Sequence, residues 1–345
     1  MAIKRGVSYY SYQQEQYFNR MDYHDMSREL AESLECDGVE IINESIVPGY
    51  PFPTPEFLAD WNNTMGRYNL NPVAMDCFLD TLRFRDHVMN LGEAAELTKL
   101  DIKLAHDMGF KQIRVLGLPR EVLLRALDTA EKLDVKLALE IHEPIPIKPN
   151  PEIIGINGEQ VGMLIQNTVD LIEETGTKHI GFIPDMGIFK KAPHLDGVLY
   201  MLRHMEDRKM AGEITEMMKS VPLGELKDEI EKQYPNKLTS AEMRMVDWHR
   251  TAEPEDLAPI LPYISSFHGK VHNMIEIPGH PGQYEEPSMM YKEVIDVLKA
   301  NNWDGYINTE FEGQRFDQDR GMEYLANEVE QVRRHHKMLK YLIER

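Results

Sequence analysis

The chain is poor in cysteine, in basic residues and in long apolar runs, and each shortage excludes a class of protein. Its 345 residues include two cysteines, Cys36 and Cys77, too few for a disulfide framework or a cysteine-rich zinc site. Lysine and arginine number 38 against 58 aspartates and glutamates, a formal charge of −20, so the surface repels phosphate backbones and anionic membranes. We therefore expect neither a nucleic-acid partner nor a membrane partner.

Long apolar segments are also missing. No run approaches the roughly 18 apolar residues that a membrane helix requires. The first residues, MAIKRGVSYYSYQQEQ, carry early positive charge without the apolar stretch of a signal peptide. Hydrophobic residues still make up 42% and charged residues 28% of the chain, which is ordinary for a globular protein with a large core. The location we expect is a bacterial-type cytoplasm.

Eight short β-rich runs alternate with longer amphipathic stretches, a pattern typical of a parallel α/β fold. These runs cover residues 4–10, 37–42, 70–76, 111–118, 135–142, 179–185, 264–270 and 305–312. Eight β/α units predict a (β/α)8 TIM barrel, with residues 1–345 forming a single domain. A doubly wound sheet is the alternative, but its usual glycine-rich phosphate turn does not follow the first strand here.

One connection is far longer than a βα crossover needs. It joins the sixth and seventh strands, and residues 190–255 within it are charged and helical in pattern. We predict a helical insertion, which is either a lid, a partner-binding surface or a solvated decoration.

Polar residues mark the ends of the last four strands, where the active sites of barrels lie. They are Glu140 and His142 on the fifth strand, Asp185 on the sixth, His268 and Lys270 on the seventh, and Glu310 and Glu312 on the eighth. Adjacent strands should bring four of them together as three carboxylates and one imidazole: Glu140, Asp185, His268 and Glu310. That set suits Mn²⁺, Mg²⁺ or Co²⁺, and a cation would relieve the repulsion between the carboxylates.

Other histidines and acids compete for these roles. For Glu143, His272 and His280 we expect ordinary positions in loops. His335 and His336 stand on the predicted last helix, and we expect both on the protein surface.

The chain resembles the xylose isomerase-like barrel family of sugar isomerases and epimerases. The resemblance rests on GVSYYSYQ, DGVEI, EIH, PDMG, HGK and NTEFEG, and it covers nearly the whole chain apart from the insertion. It implies that Glu140, Asp185, His268 and Glu310 hold a metal ion. The motif EIHEP is most similar to the large (α) subunits of bacterial C-glycoside deglycosidases. That similarity implies Mn²⁺, a small β-rich second subunit, and His142 as an acid or base.

The resulting hypothesis is metal-dependent cleavage of the C–C glycosidic bond of 3-oxo-C-glycosides, such as aryl or flavonoid C-glucosides, by enolisation and β-elimination. His142 is the expected proton-transferring residue because an imidazole titrates near neutral pH. Glu140 or Glu310 would be a second base, and Lys270 and Glu312 would contact the substrate.

Three other functions are considered. An aldose–ketose isomerase or ketose 3-epimerase would use the same metal and bases. An apurinic endonuclease would need more histidines at strand ends and a cationic face, which the chain lacks. An interaction protein that has lost its chemistry is disfavoured by the intact set of four ligands.

Overall fold

The computed structural model describes residues 3–155, 158 and 160–345, and in this part of the chain eight parallel strands form a nearly closed barrel. The barrel strands are β1 (Lys4–Ser8), β2 (Gly38–Ile42), β3 (Asn71–Cys77), β4 (Gln112–Val115), β5 (Lys136–Ile141), β6 (Ile180–Pro184), β7 (Ser266–Val271) and β10 (Tyr306–Phe311). Two further strands, β8 (Ile275–Glu276) and β9 (Tyr284–Glu285), pair with each other in a separate small antiparallel hairpin. All eight predicted strands are thus confirmed.

The strands are hydrogen-bonded in the order β6-β5-β4-β3-β2-β1-β10-β7. Between β6 and β7 the ring is completed only by isolated parallel bridges, Phe182 with Ile264 and Asp185 with His268, as far as the described residues show. Asp185 and His268, two residues of the predicted site, therefore meet at the seam of the barrel.

Helices surround the barrel, and several begin and end where the sequence indicates. They are α1 (Gln13–Tyr17), α2 (Tyr23–Arg28), α3 (Asn43–Ile46), α4 (Pro55–Tyr68), α5 (Leu91–Asp107), α6 (Arg120–Leu133), α7 (Leu164–Thr175), α8 (Leu195–His204), α9 (Arg208–Met217), α10 (Leu226–Gln233), α11 (Ser240–Val246), α12 (Tyr291–Ala300) and α13 (Glu328–Glu344). Thr54 caps α4 by accepting a hydrogen bond from Phe57 N at 3.3 Å, and Gly176 ends α7 with a φ of +65°. Within the described ranges, no helix is both long and apolar enough to cross a membrane.

The barrel interior changes from apolar to charged along the strands. A small apolar cluster on the barrel strands comprises Val73, Ala74, Ala138, Ile183 and Tyr306. Two residues further along the same strands, on the same face by alternation, stand Asp76, Glu140, Asp185 and Asn308. The charged layer therefore lies toward the carboxyl ends of the strands, where a barrel presents its active site.

The predicted insertion between β6 and β7 is helical and consists of α8 to α11. Its buried residues form a hydrophobic cluster distinct from the main core: Val198, Met201, Leu202, Met205, Met210, Ala211, Ile214, Leu226, Ile230 and Val246. Arg203 ties α8 to the segment after β10 through Asp317 and Asp319, each 3.4 Å away. The assignment of the whole chain to one domain stays a prediction.

The surface position expected for His335 and His336 is wrong. The two side chains are 0% and 2% exposed, and their rings lie 2.9 and 3.0 Å from Thr309 Oγ1 on β10. The reason is the spacing of Val332, His335, His336 and Leu339, which places all four on one face of α13. That face packs against the outside of the barrel, where the histidines meet the hydroxyl of Thr309.

Candidate active site

A layer of charged side chains crosses the barrel interior above the apolar cluster. It comprises Glu40, Asp76, Arg114, Glu140, Asp185, His268, Lys270, Glu310 and Glu312, each at most 6% exposed. The six carboxyl groups outnumber the two permanent cations, Arg114 and Lys270. Burial of so many acids in a small volume is costly unless further positive charge is present.

His268 is at the centre of this layer. Its Nδ1 lies 2.7 Å from Glu140 Oε1 and 3.7 Å from Glu310 Oε2. One ligand atom each from Glu140, Asp185 and His268 lie within 4.8 Å of one another, close to the ~4–5 Å span of ligands around a divalent ion. The structure thus brings together three of the four predicted ligands, and the fourth, Glu310, borders them.

The polar atoms of this group fit a metal ion. Glu310 Oε2 is buried and accepts no hydrogen bond from the described residues. Burial opposes a charged imidazole, but the carboxylates of Glu40, Glu310 and Glu140 outweigh it and hold the pKa of His268 well above its usual range. The layer therefore attracts positive charge strongly, and a cluster of buried acids with one imidazole could bind a metal ion.

Lys270 is buried among the predicted ligands. Its Nζ lies 2.7 Å from Asp185 Oδ2, 3.4 Å from Glu310 Oε2 and 3.3 Å from Glu312 Oε2. Burial alone would lower the pKa of Lys270, but Asp185 and the two glutamates raise it well above the ordinary value. The ammonium group is therefore a fixed positive charge among the predicted ligands.

His142 is the accessible member of the predicted set, with 46% of its side chain exposed. Its Nδ1 lies 3.0 Å from the carbonyl oxygen of Glu143, and its Nε2 lies 3.4 Å from Lys270 Nζ. A carbonyl can only accept a hydrogen bond, so Nδ1 carries the proton and Nε2 has its lone pair toward the site. This is the tautomer that a general base requires.

Sequence reasoning missed three charged residues of the layer. Asp76 Oδ1 and Glu140 Oε2 lie 3.4 and 3.6 Å from Arg114 Nε, and Glu40 Oε2 accepts a hydrogen bond from Asn308 Nδ2 at 2.8 Å. The available signal was a charged residue inside an apolar strand, as in GVEII, VAMD and QIRV. Because such residues are costly to bury, their presence in central strands indicates a paired or functional role.

The competing candidates lie in loops, as expected. Glu143 pairs with Lys190 and, at 3.1 Å, with His249. His272 is buried after β7, with its ring 3.7 Å from that of His194, and His280 is exposed in the hairpin turn. Within the described ranges, none of Glu143, His272 and His280 joins a group close enough to hold a metal.

A cavity of about 960 Å³ opens beside the ends of β3, β4 and β5 and reaches Glu140. Apolar side chains form about half of its wall, among them Leu79, Met89, Leu91, Leu116, Leu118, Ile145, Val161 and Leu164. Polar and charged side chains form the rest, among them Thr81, Asn90, Arg120, Gln160, Asn167, Asp170 and Glu174. The charged layer therefore adjoins, at Glu140, a large space with both apolar and polar walls.

Comparison with solved structures identifies the architecture. The chain aligns with an L-ribulose 3-epimerase and with a D-psicose 3-epimerase, each over 99% of its length, with a TM-score of 0.52 and 11% identity. A structure of the IOLI protein with a bound zinc atom aligns with a TM-score of 0.55 and 13% identity. The fold is a xylose isomerase-like TIM barrel. At these identities the likeness concerns the fold alone.

Sequence comparison connects this barrel with a narrower group. The chain is 25% identical to the C-glycoside deglycosidase alpha subunit of Arthrobacter globiformis, over 99% of its own length and 93% of the relative. It is 26% identical to the 3'-dehydrocarminate deglycosidase alpha subunit of a Microbacterium species, over 91% and 89% of the two chains. No protein-family model matches the chain. The predicted resemblance is thus confirmed along nearly the whole sequence.

Proposed function

We propose that this barrel is the catalytic subunit of a carbon–carbon lyase that releases an aromatic aglycone from a 3-oxo-C-glycoside. The observation that carries the proposal is the cavity beside Glu140, whose wall includes the apolar side chains of Leu79, Leu116 and Ile145. Its volume of about 960 Å³ lies at the upper end of the ~300–1,000 Å³ of pockets for drug-sized ligands. A free ketose would leave these apolar side chains in contact with water, whereas an aryl group would cover them.

Glu140, Asp185, His268 and Glu310 would hold a divalent cation in this enzyme. Three carboxylates and one imidazole favour a hard or borderline ion, and we propose Mn²⁺, with Mg²⁺ or Co²⁺ as substitutes. When bound, such a cation supplies Lewis-acid stabilisation of negative charge on the sugar oxygens.

His142 transfers the proton in this reaction. Its Nε2 takes the proton from the carbon next to the ketone, whose acidity the carbonyl increases. A phenolic hydroxyl ortho or para to the linked aryl carbon allows that carbon to be protonated first, which gives the keto tautomer of the aglycone. The anomeric carbon is β to the sugar ketone, so its bond to the protonated carbon then breaks by elimination and leaves a double bond in the sugar. The electron pair of the broken bond restores the aromatic ring and leaves on the phenolate oxygen.

Acidic and basic neighbours assist this step. The fixed ammonium of Lys270 stabilises negative charge on the sugar oxygens, and Glu312, 3.3 Å from Lys270 Nζ, contacts sugar hydroxyls. Glu140 or Glu310 supplies the second base.

The proposal includes a partner chain. The relatives are named alpha subunits, which supports a second subunit for this chain too. We propose that it is small and β-rich, by the resemblance described above, and that the two chains act together on the glycoside.

The decisive experiment is chromatographic detection of aglycone release from a 3-oxo-C-glucosyl flavonoid by the co-expressed pair with Mn²⁺. We expect release that disappears when a chelator is added. No release from a protein that holds its metal and partner would contradict the proposal. Hydrogen exchange into a free ketose would then identify an isomerase or epimerase.

His142→Ala tests the role of the proposed base. We expect turnover to fall about 10²–10⁴-fold, the usual effect of losing a general acid or base, with Mn²⁺ content unchanged. His280→Ala, an exposed histidine in the hairpin turn, is the matched control. Loss of metal from His142→Ala would mean that His142 is a ligand and that its assigned role is wrong.

A further inference from the structure

His268 stands between two groups of carboxylates, one on each ring nitrogen. Nδ1 is in hydrogen-bond contact with Glu140 Oε1 at 2.7 Å, whereas Nε2 lies 3.5 Å from Glu40 Oε1 and 3.8 Å from Asp76 Oδ1, beyond ordinary hydrogen-bond distance. Ligand atoms of Glu40, Asp76 and His268 also lie within 4.8 Å of one another, as do those of Glu140, Asp185 and His268. A neutral imidazole has one lone pair and one N–H, so only one of these two groups can receive a metal–nitrogen bond.

The surroundings of the two groups differ. On the Nε2 side, Arg114 lies 3.4 Å from Asp76 Oδ1 and the amide of Asn308 donates to Glu40. On the Nδ1 side, Lys270 Nζ lies 2.7 Å from Asp185 Oδ2 and Arg114 Nε lies 3.6 Å from Glu140 Oε2, but Glu140, although 3% exposed, borders the large cavity. A cation that must also reach substrate therefore belongs on the Nδ1 side.

Buried polar atoms without hydrogen bonds indicate the role of the carboxylates on the Nε2 side of His268. Glu40 Oε1, both carboxylate oxygens of Asp76, and His268 Nε2 are buried and lack hydrogen-bond partners among the described residues. Glu40, Asp76 and His268 are all 0% exposed. Buried polar atoms of this kind are costly, and an Nε2–H directed between Glu40 Oε1 and Asp76 Oδ1 would give the donor an acceptor and one of these oxygens a donor.

We propose that Glu40 and Asp76 are positioning residues that accept the Nε2–H of His268 and thereby direct its Nδ1 lone pair to the metal. Arg114 holds Asp76 in place and reaches Glu140 Oε2 at 3.6 Å, so the same guanidinium orients an acceptor and a metal ligand. Outer partners of this kind fix the tautomer and the ring orientation of a metal-bound histidine. The inference rests on the metal site of the proposed function.

The tautomer of His268 is the direct test. We suggest ¹⁵N-histidine NMR of the full chain loaded with diamagnetic Zn²⁺, with the His268 signals assigned by their absence in His268→Gln. The expected result is a protonated Nε2 and a metal-bound Nδ1. A protonated Nδ1 would overturn the inference and move the cation to Glu40 and Asp76.

Isosteric variants provide the second test. In Mn²⁺ titration calorimetry, Glu40→Gln and Asp76→Asn should bind the ion about 10–100-fold more weakly, the usual effect of losing an outer partner. Asp101→Asn is the matched control, because Asp101 is also buried but hydrogen-bonds Tyr50 and Asn43 outside the barrel. Affinities within twofold of the unmodified protein for both site variants would contradict the inference.

The two proposals fail in different ways. An unmodified chain that binds no Mn²⁺ would overturn the metal-dependent function together with this inference. Metal binding without the predicted tautomer would overturn only the role of Glu40 and Asp76. If a variant does not fold, the NMR measurement on the unmodified chain still decides the question.

Discussion

The two halves of the barrel mouth differ in what they offer a ligand. Beside β3, β4 and β5 the chain leaves a cavity of about 960 Å³ with a wall that is partly apolar. Beside β6, β7 and β10 lie buried polar side chains, among them Lys270, His272 and Glu312. The metal-binding layer lies between them. This difference separates the proposed chemistry on the sugar from the recognition of the aglycone.

The connections around the mouth differ in length and structure. Residues 116–119 separate β4 from α6, whereas residues 78–90 separate β3 from α5 and residues 142–163 separate β5 from α7. The connection from β6 to β7 is longer still, because it contains α8 to α11, and Arg203 links it to the segment after β10. The helical insertion therefore belongs to the side of the mouth that carries Asp185, His268 and Lys270.

The largest effect on catalysis is expected from Lys270→Met, on β7. Loss of the ammonium removes the charge that stabilises the sugar oxyanion, so kcat should fall about 10²–10³-fold. Mn²⁺ affinity should rise severalfold, because a positive charge 2.7 Å from Asp185 no longer repels the ion. Aglycone release and Mn²⁺ titration measure the two effects.

Lys136→Met is the matched control for this variant. Lys136 is another lysine of the barrel, but its Nζ donates to Ser265 Oγ at 2.7 Å and touches none of the predicted ligands. Equal losses of activity in both variants, or weaker Mn²⁺ binding by Lys270→Met, would show that Lys270 has a purely structural role.

A smaller effect on catalysis is expected from Leu116→Asn, beside the cavity at β3, β4 and β5. Leu116 lines the cavity and is 50% exposed without a ligand, so an aglycone should cover it further. Loss of that contact should raise KM about 5–10-fold, from ~1 kcal/mol of apolar burial, with little change in kcat. Leu124→Asn on α6, 42% exposed and outside the cavity wall, should leave both constants unchanged. A fall in kcat with unchanged KM would argue against an aglycone at this position.

The smallest effect concerns stability at the base of the insertion. Burial and the nearby Glu286 raise the pKa of Asp196 from 3.8 to about 8. The folded protein therefore holds a proton that the unfolded chain releases above pH ~4, so the free energy of unfolding falls as pH rises from ~4 to ~8. Asp196→Asn removes this pH-dependent fall. The amide oxygen of the new side chain can still accept a hydrogen bond from Asn273 Nδ2.

Urea denaturation at two pH values measures this change. The advantage of Asp196→Asn in free energy of unfolding should be about 1–3 kcal/mol larger at pH 8 than at pH 5. Asp228→Asn, which removes an exposed carboxylate of the insertion, is the control. An advantage that is independent of pH would contradict a raised pKa at Asp196.

The strands and the predicted ligands could be read from the sequence because both rest on local patterns. Glu140 and His268 follow from strand order and from the rule that the carboxyl ends of the strands carry the site. Glu40, Asp76 and Arg114 were missed because the strands of a parallel barrel are buried on both faces. Alternation alone then does not tell which side of a strand faces inward.

Other features depend on contacts that no local pattern contains. The cavity beside β3, β4 and β5 is formed by loops and helices from three successive β/α units. Only the folded chain defines how these units are placed relative to one another. The error at His335 and His336 was avoidable. Their spacing from Val332 and Leu339 already describes the buried face of an amphipathic helix.

The seam between β6 and β7 gives a bound cation a mechanical role as well. The ladder is reduced there to isolated bridges, and one of them joins Asp185 to His268. An ion bound by both residues would link β6 and β7, the two strands at the ends of the hydrogen-bonded order, and would hold the barrel closed there. Amide hydrogens of β6 and β7 should therefore exchange with solvent more slowly in the metal-loaded protein than in the metal-free one, while those of β2 and β3, across the barrel, change less.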